Sequence, residues 1–215
     1  MATLREEMGQ ETYDLLYAHY DESGGLIADM DDVLYCDDSK IPQDRIVKLE
    51  ALLKPITDAN SALVPIEAAK LLAAWGSEKA IEYFEYCINE RIDRLDILDS
   101  HRLHVSYDTT YEKIIKSTLH YYARHADKSE KDGMMARARI FPLVKKIIIL
   151  TEELHLDISY AVGNFLSDGW KEYLPVLKKC YLDLAQRPED DTNRKWNLSS
   201  IIRLLQIWEP DFLKK

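Results

Sequence analysis

Two imidazoles three residues apart, in the run His101-Arg102-Leu103-His104, are the first side chains in this sequence whose type and spacing could do chemistry. On a helix that spacing could turn both toward one metal ion. Residues 100–107 read instead as a loop between helices, and no Glu-x-x-His partner accompanies the pair, so capping or solvated histidines account for it. His120 and His125 flank Tyr121-Tyr122-Ala123-Arg124 and read as core-edge or interface residues, because no carboxylate and nucleophile stand beside them for general base work. Asp93, Asp96 and Asp99 recur every three residues, which on a straight helix spreads them over about 120 degrees and makes a solvated face, not a ligand set.

Covalent catalysis needs a Ser or Cys held beside a base, and the chain contains no Gly-x-Ser-x-Gly, no Walker-type loop and no Gly-x-Gly-x-x-Gly. Seven glycines leave little with which to cradle a phosphate. Cys36, Cys87 and Cys180 are far apart, form no Cys-x-x-Cys pair and lie among apolar or aromatic neighbours, as buried reduced thiols do. The expectation is a protein that is not an enzyme and carries no cofactor or metal. A helical metal-dependent hydrolase built on His101, His104 and nearby aspartates is the competing expectation, and metal analysis of the purified protein separates the two.

Charge is the more informative pattern. The formal net charge is −10 and the sequence pI about 5.1, a balance that opposes nucleic-acid binding because phosphates are held by clustered Lys and Arg. Residues 1–40 hold eleven of the 38 acidic residues and only Arg5 and Lys40 as bases, a net −9 that leaves −1 for the rest of the chain. Within that end Asp29, Asp31, Asp32, Asp37 and Asp38 are interleaved with Met30, Val33, Leu34 and Tyr35. Tyrosine, present 13 times, offers large contact area at small entropic cost and a hydrogen-bonding tip. Carboxylates beside it suit a surface to Lys and Arg. Asp31, Asp32, Tyr35, Asp37 and Asp38 are therefore one candidate partner-binding set, and Glu82, Tyr86 and Glu90 on a single helix are a second. A solvated acidic loop is the plain alternative for the first set; a calcium loop is the weaker rival there, since the EF-hand spacing and its Gly are missing.

The elements that must position these residues are helical. Apolar residues from Leu4 to Tyr20 fit a first helix ending before Ser23-Gly24-Gly25. A second helix starts near Pro42, and a third runs from about Pro65 to Gly76 with Ala68, Leu71, Leu72 and Trp75 on one face. Ser77 can cap a fourth, whose stripe continues through Ile81, Phe84, Ile88, Ile92 and Leu95. Asp108 can cap a helix bearing Tyr111, Ile114 and Ile115, followed by a polar break over residues 127–133. Pro142 must kink the next helix or mark its start, and further helices carry Leu174 to Leu184 and Leu198 to Trp208. Strand signals are confined to Leu26-Ile27 and the stretch from Val33 to Cys36. Eight or nine helices joined by short loops make an all-α fold of antiparallel helix pairs, either an irregular bundle or an open stack, with residues 1–215 expected to form one domain. The opening residues lack the apolar core of a signal peptide and the longest aliphatic run, residues 147–150, cannot span a bilayer, which predicts a cytoplasmic protein without membrane association.

Residues 67–88, EAAKLLAAWGSEKAIEYFEYCI, resemble a HEAT or armadillo-type helix pair: small Ala and paired Leu, a Gly turn, then a capped second helix. In size, charge and helix-pair texture the chain as a whole resembles immunity proteins of contact-dependent growth inhibition and related polymorphic toxin systems, some of which look like degenerate HEAT stacks. That resemblance implies a cognate toxin domain as partner, typically a basic nuclease whose active site is blocked by carboxylates standing where phosphates would lie. A HEAT-like adaptor in another pathway is a further alternative. A HEAT-type DNA-repair module of the alkylpurine glycosylase kind would need a basic concave face that this charge balance does not supply.

Overall fold

The structure, a computed structural model, describes residues 4–20, 26–28, 30–101 and 104–214, with the backbone alone at residues 20, 26–28, 30–32, 100, 101, 104 and 105. The fold is all-α: among the described residues eleven α-helices are accompanied only by two short antiparallel hairpins and a few 3-10 turns. The chain divides into two compact units, residues 1–98 with 117–140, and residues 99–116 with 141–215.

In the first unit, α1 (Leu4–Met8) and α2 (Gln10–Tyr17) replace the single helix expected from Leu4 to Tyr20. Gly9 breaks it with φ 82°, a left-handed value that costs glycine little, and the chain leaves α2 as strand β1 (Ala18–Tyr20), paired with β2 (Leu26–Ala28). The expected extension at Leu26-Ile27 is thus present, whereas the stretch from Val33 to Cys36 lies mainly in α3 (Met30–Tyr35), where Val33 and Leu34 are buried on one helical side. Pro42 sits at the N-cap of α4 (Gln43–Glu50). Arg45 reaches back from α4 to the end of α2, donating from Nε to the Leu15 carbonyl at 2.9 Å and from Nη1 to the Ala18 carbonyl at 2.7 Å.

The centre of this unit is α5 (Leu63–Ala74), with eight of its twelve residues buried, an all-round apolar character that requires neighbours on several sides. It packs against α2, α3, α4 and α6 (Glu78–Asn89). The turn between α5 and α6 is a Schellman motif: Ser77 N–H donates to the Leu72 carbonyl and Gly76 N–H to the Ala73 carbonyl, both at 2.9 Å, with Gly76 at φ 79°. The helix pair anticipated from residues 67–88 is therefore present. Its second helix stops earlier than the apolar stripe, at Asn89, because Arg91 turns left-handed (φ 52°) and Ile92–Arg94 form a 3-10 turn. The unit is completed by residues 117–126 of α7 (Thr110–Ala126) and residues 130–140 of α8 (Glu130–Leu150), so the polar break spans three residues, not seven.

In the second unit the supposed loop before α7 is a hairpin, β3 (Ser100–His101) against β4 (His104–Asp108). Asp108 caps α7 as expected, its Oδ1 accepting the Thr110 N–H at 2.8 Å. Pro142 does not start α8, which runs on through it. The carbonyl that loses its donor is that of Ala138, and both residues are exposed, so water can take the missing bond. A helix not recognised in the sequence, α9 (Ser159–Asp168), precedes α10 (Leu174–Gln186) and α11 (Thr192–Trp208). Phe165 and Tyr173 stack at 4.0 Å, with Trp170 alongside, and Leu177, Ile201, Leu204 and Leu205 are fully buried in the same unit. All three cysteines are buried and stand outside any disulfide.

Candidate functional site

One member of the first acidic set, Asp38, is held by a residue with no role of its own among the sequence expectations. Arg124, near the end of α7 and only 15% exposed, donates from Nε to the Ala74 carbonyl at 2.9 Å, from Nη2 to the Cys36 and Leu34 carbonyls at 2.8 and 3.4 Å, and from Nη1 to Asp38 Oδ1 at 3.1 Å. One planar fork thereby joins the ends of α3 and α5 to α7, a geometry that guanidinium alone among side chains provides. Lys128 pairs with the other oxygen of Asp38 at 3.4 Å. Both oxygens of Asp38 are thus ion-paired within the first unit, while its side chain stays about half exposed. Burial pushes the Cys36 thiol above its ordinary pKa despite the nearby Arg124 and Arg45, which disfavours its thiolate form.

Tyr35 and Asp37 are different. Tyr35 is 65% exposed, and its hydroxyl lies 3.4 Å from His120 Nε2, with the two rings edge to face at 5.6 Å. An exposed aromatic anchored by a neighbour loses little freedom when a partner covers it. Asp37 is exposed and makes no ion pair among the described residues. Beside them a cleft of about 110 Å³ is lined by Tyr35, Ala74, His120, Ala123, Arg124 and Asp127. Asp31 and Asp32 lie on α3, but their side chains are outside the described residues, as is Asp29 altogether.

The second set lies along α6. Glu82 and Glu90 are exposed, one turn on either side of Tyr86. Tyr86 is half-buried, and its hydroxyl accepts the Ile56 N–H at 3.1 Å, while Tyr83 donates to the Lys54 carbonyl at 2.7 Å. Both rings thus hold the connection after α4. Glu85 receives a two-pronged bond from Arg139 at 2.6 and 3.0 Å, and Arg139 also reaches Glu78, which accepts from Tyr121. Among the described residues the two acidic sets share no side-chain contact.

His101 and His104 pair backbone to backbone across the β3/β4 hairpin, with side chains outside the described residues. Among the described residues no group of three or more His, Cys, Asp and Glu is arranged to hold a metal ion. The second unit holds two further features that sequence spacing did not mark. Glu112 accepts the Asp157 N–H, and burial, reinforced by the Asp157 carboxylate, raises its pKa to about 7 although that bond and Lys113 pull the other way. A groove of about 360 Å³ lies between Ser159, Gly163 and Ser167 of α9 and Ser200 and Arg203 of α11. Among the described residues no helix is long and apolar enough to cross a membrane.

Comparison of the chain with protein-family models, with curated proteins and with solved structures finds no match.

Proposed function

We propose that the protein is a binding inhibitor that seats a basic partner domain against an acidic, tyrosine-bearing face of its first unit, and performs no chemistry of its own. The observation that carries this reading is the pairing of charge with an anchored aromatic: −9 of the −10 net charge falls in residues 1–40, where Tyr35 stands exposed two residues from Asp37, which makes no ion pair among the described residues. Unpaired carboxylates raise the encounter rate with a basic surface and fix its register, and a desolvated Tyr supplies affinity at the centre. Glu82 and Glu90, exposed at α6, are a second negative surface of the same unit. The partner that best fits is a toxin domain of the nuclease kind, its electropositive active site occluded, which makes the protein an immunity protein of a contact-dependent or polymorphic toxin system acting in the cytoplasm.

The test has two stages. Tagged protein purified from its native host is analysed for stably bound partners, and the partner is then expressed alone and its activity titrated with the purified protein. The reading expects loss of partner activity at a one-to-one ratio. A bound partner whose activity survives a large excess, or a complex in which Tyr35 and Asp37 face bulk water, contradicts it.

A further inference from the structure

The cleft beside Tyr35 is too small for a metabolite, since ligand pockets occupy about 300–1,000 Å³, but about 110 Å³ suits the head of one side chain. Three helices end beside it: α3 at Tyr35 and α5 at Ala74, both of which line it, and α7 at Ala126, one residue before the lining Asp127. Helix C-termini carry partial negative charge and attract cations. Arg124 answers for the ends of α3 and α5, and with bonds to Ala74, Leu34, Cys36 and Asp38 it has almost no donor left for an incoming group. The end of α7 is left to Asp127, which follows it directly, lines the cleft, and makes no ion pair among the described residues. Asp37, which makes no ion pair among the described residues, stands two residues beyond Tyr35, outside the lining of the cleft. An arriving anion would meet the Asp127 carboxylate and an Arg124 with four of its five N–H groups already engaged. An arriving cation would meet open acceptors on one side and the Tyr35 ring on the other.

We propose that this cleft is the seat for one arginine side chain of the partner, its guanidinium stacked on Tyr35 and paired with Asp127. Arginine fits better than lysine because a planar, weakly hydrated cation can lie on the ring and present two N–H groups to one carboxylate. The inference rests on the inhibitor reading above for the source of the arginine, but it can be tested without the partner.

The probe is the blocked tripeptide Gly-Arg-Gly, titrated into the full chain and followed by NMR, with Gly-citrulline-Gly as its neutral isostere and inorganic phosphate as the anion. The arginine peptide is expected to give saturable shifts at Tyr35, His120, Ala123 and Asp127 with a dissociation constant on the order of 1 mM, and the citrulline peptide and phosphate to give none. Asp127→Asn and Tyr35→Ala should each weaken binding about fivefold, while Tyr35→Phe, which keeps the ring, should retain it. Unchanged spectra elsewhere establish that the variants are folded. Equal binding of the citrulline peptide, saturable phosphate binding in place of arginine, no shift at Tyr35, or indifference to Asp127→Asn each overturns the proposal. Failure of the peptide with partner inhibition intact removes the arginine seat alone, whereas peptide binding by a protein that inhibits nothing removes the inhibitor reading alone.

Discussion

Asn193 and Asn197, one turn apart on α11, hold the same residue from both sides: Asn193 Oδ1 accepts the Leu156 N–H at 3.0 Å and Asn197 Nδ2 donates to the Leu156 carbonyl at 2.8 Å. Asn193 also donates to the Thr151 and Leu154 carbonyls, and Asn197 accepts the Ile158 N–H at 2.8 Å. Both amides are fully buried, so the connection from α8 to α9 has its polar backbone satisfied by two side chains where neither helix nor sheet could supply partners. Asn197→Ala strands the Ile158 N–H and the Leu156 carbonyl away from water. It is expected to destabilise the protein by about 2–4 kcal/mol, read from urea unfolding. A loss below about 0.5 kcal/mol contradicts this role.

Arg124 plays the corresponding part in the first unit. Arg124→Lys keeps the charge but has one nitrogen for acceptors that now occupy three, and should fail to restore what Arg124→Ala loses, about 2 kcal/mol. Hydrogen exchange locates the damage: amides of residues 33–41 should lose protection in both variants while those of α9 to α11 keep theirs. Wild-type protection of residues 33–41 in Arg124→Lys would contradict the fork as the fastener.

Gly76 ties the same corner from the α5–α6 side. At φ 79° an L side chain is strained, and a Cβ there would come within 3.2 Å of Arg124 Cγ and His125 Nε2. Gly76→Ala should therefore cost about 2 kcal/mol in thermal or urea unfolding, and a neutral substitution would show that the turn relaxes freely.

Glu112 makes stability depend on pH. Its folded pKa of about 7 lies above the ordinary carboxyl value, so between the two the folded state binds the extra proton. The associated stability is complete in acid below the unfolded value and is lost as pH rises toward about 7, the reverse of an ion-paired carboxylate. The groups facing it are Asp157, Lys113 and Asp99, with Tyr107 bonded to the same Asp157 N–H. Glu112→Gln keeps an oxygen for that N–H and removes the titration. The variant should lose about 2 kcal/mol less than wild type in unfolding free energy between about pH 5 and about pH 8. Parallel pH profiles for the two proteins would contradict the assignment.

The α5–α6 pair was legible because its signals are local: an apolar stripe, a Gly where the chain must turn left-handed, and a Ser opening the next helix. Gly9 gave the same signal but stood within an apolar spacing that continued across it. Val33 and Leu34 suggested extension because neighbouring apolar residues suit a strand as well as a buried helical turn. The acidic set was visible as composition, yet its division was not. Asp38 is engaged by Arg124 from 86 residues away, and no local pattern encodes such a bond. The same holds for Asn193 and Asn197, whose acceptors lie about forty positions earlier, although two Asn at helical spacing in an apolar stripe could have been read as buried polar anchors.

The central claim, that carboxylates around an anchored tyrosine draw in a basic partner, is tested most directly by the association rate constant with that partner as ionic strength rises from about 25 mM to about 250 mM. The account predicts a fall of about tenfold or more for the wild type and a clearly shallower fall for the combined variant Asp31→Asn, Asp32→Asn, Asp37→Asn, which leaves the ion-paired Asp38 in place. A wild-type rate indifferent to salt, or a combined variant as salt-sensitive as wild type, would contradict it.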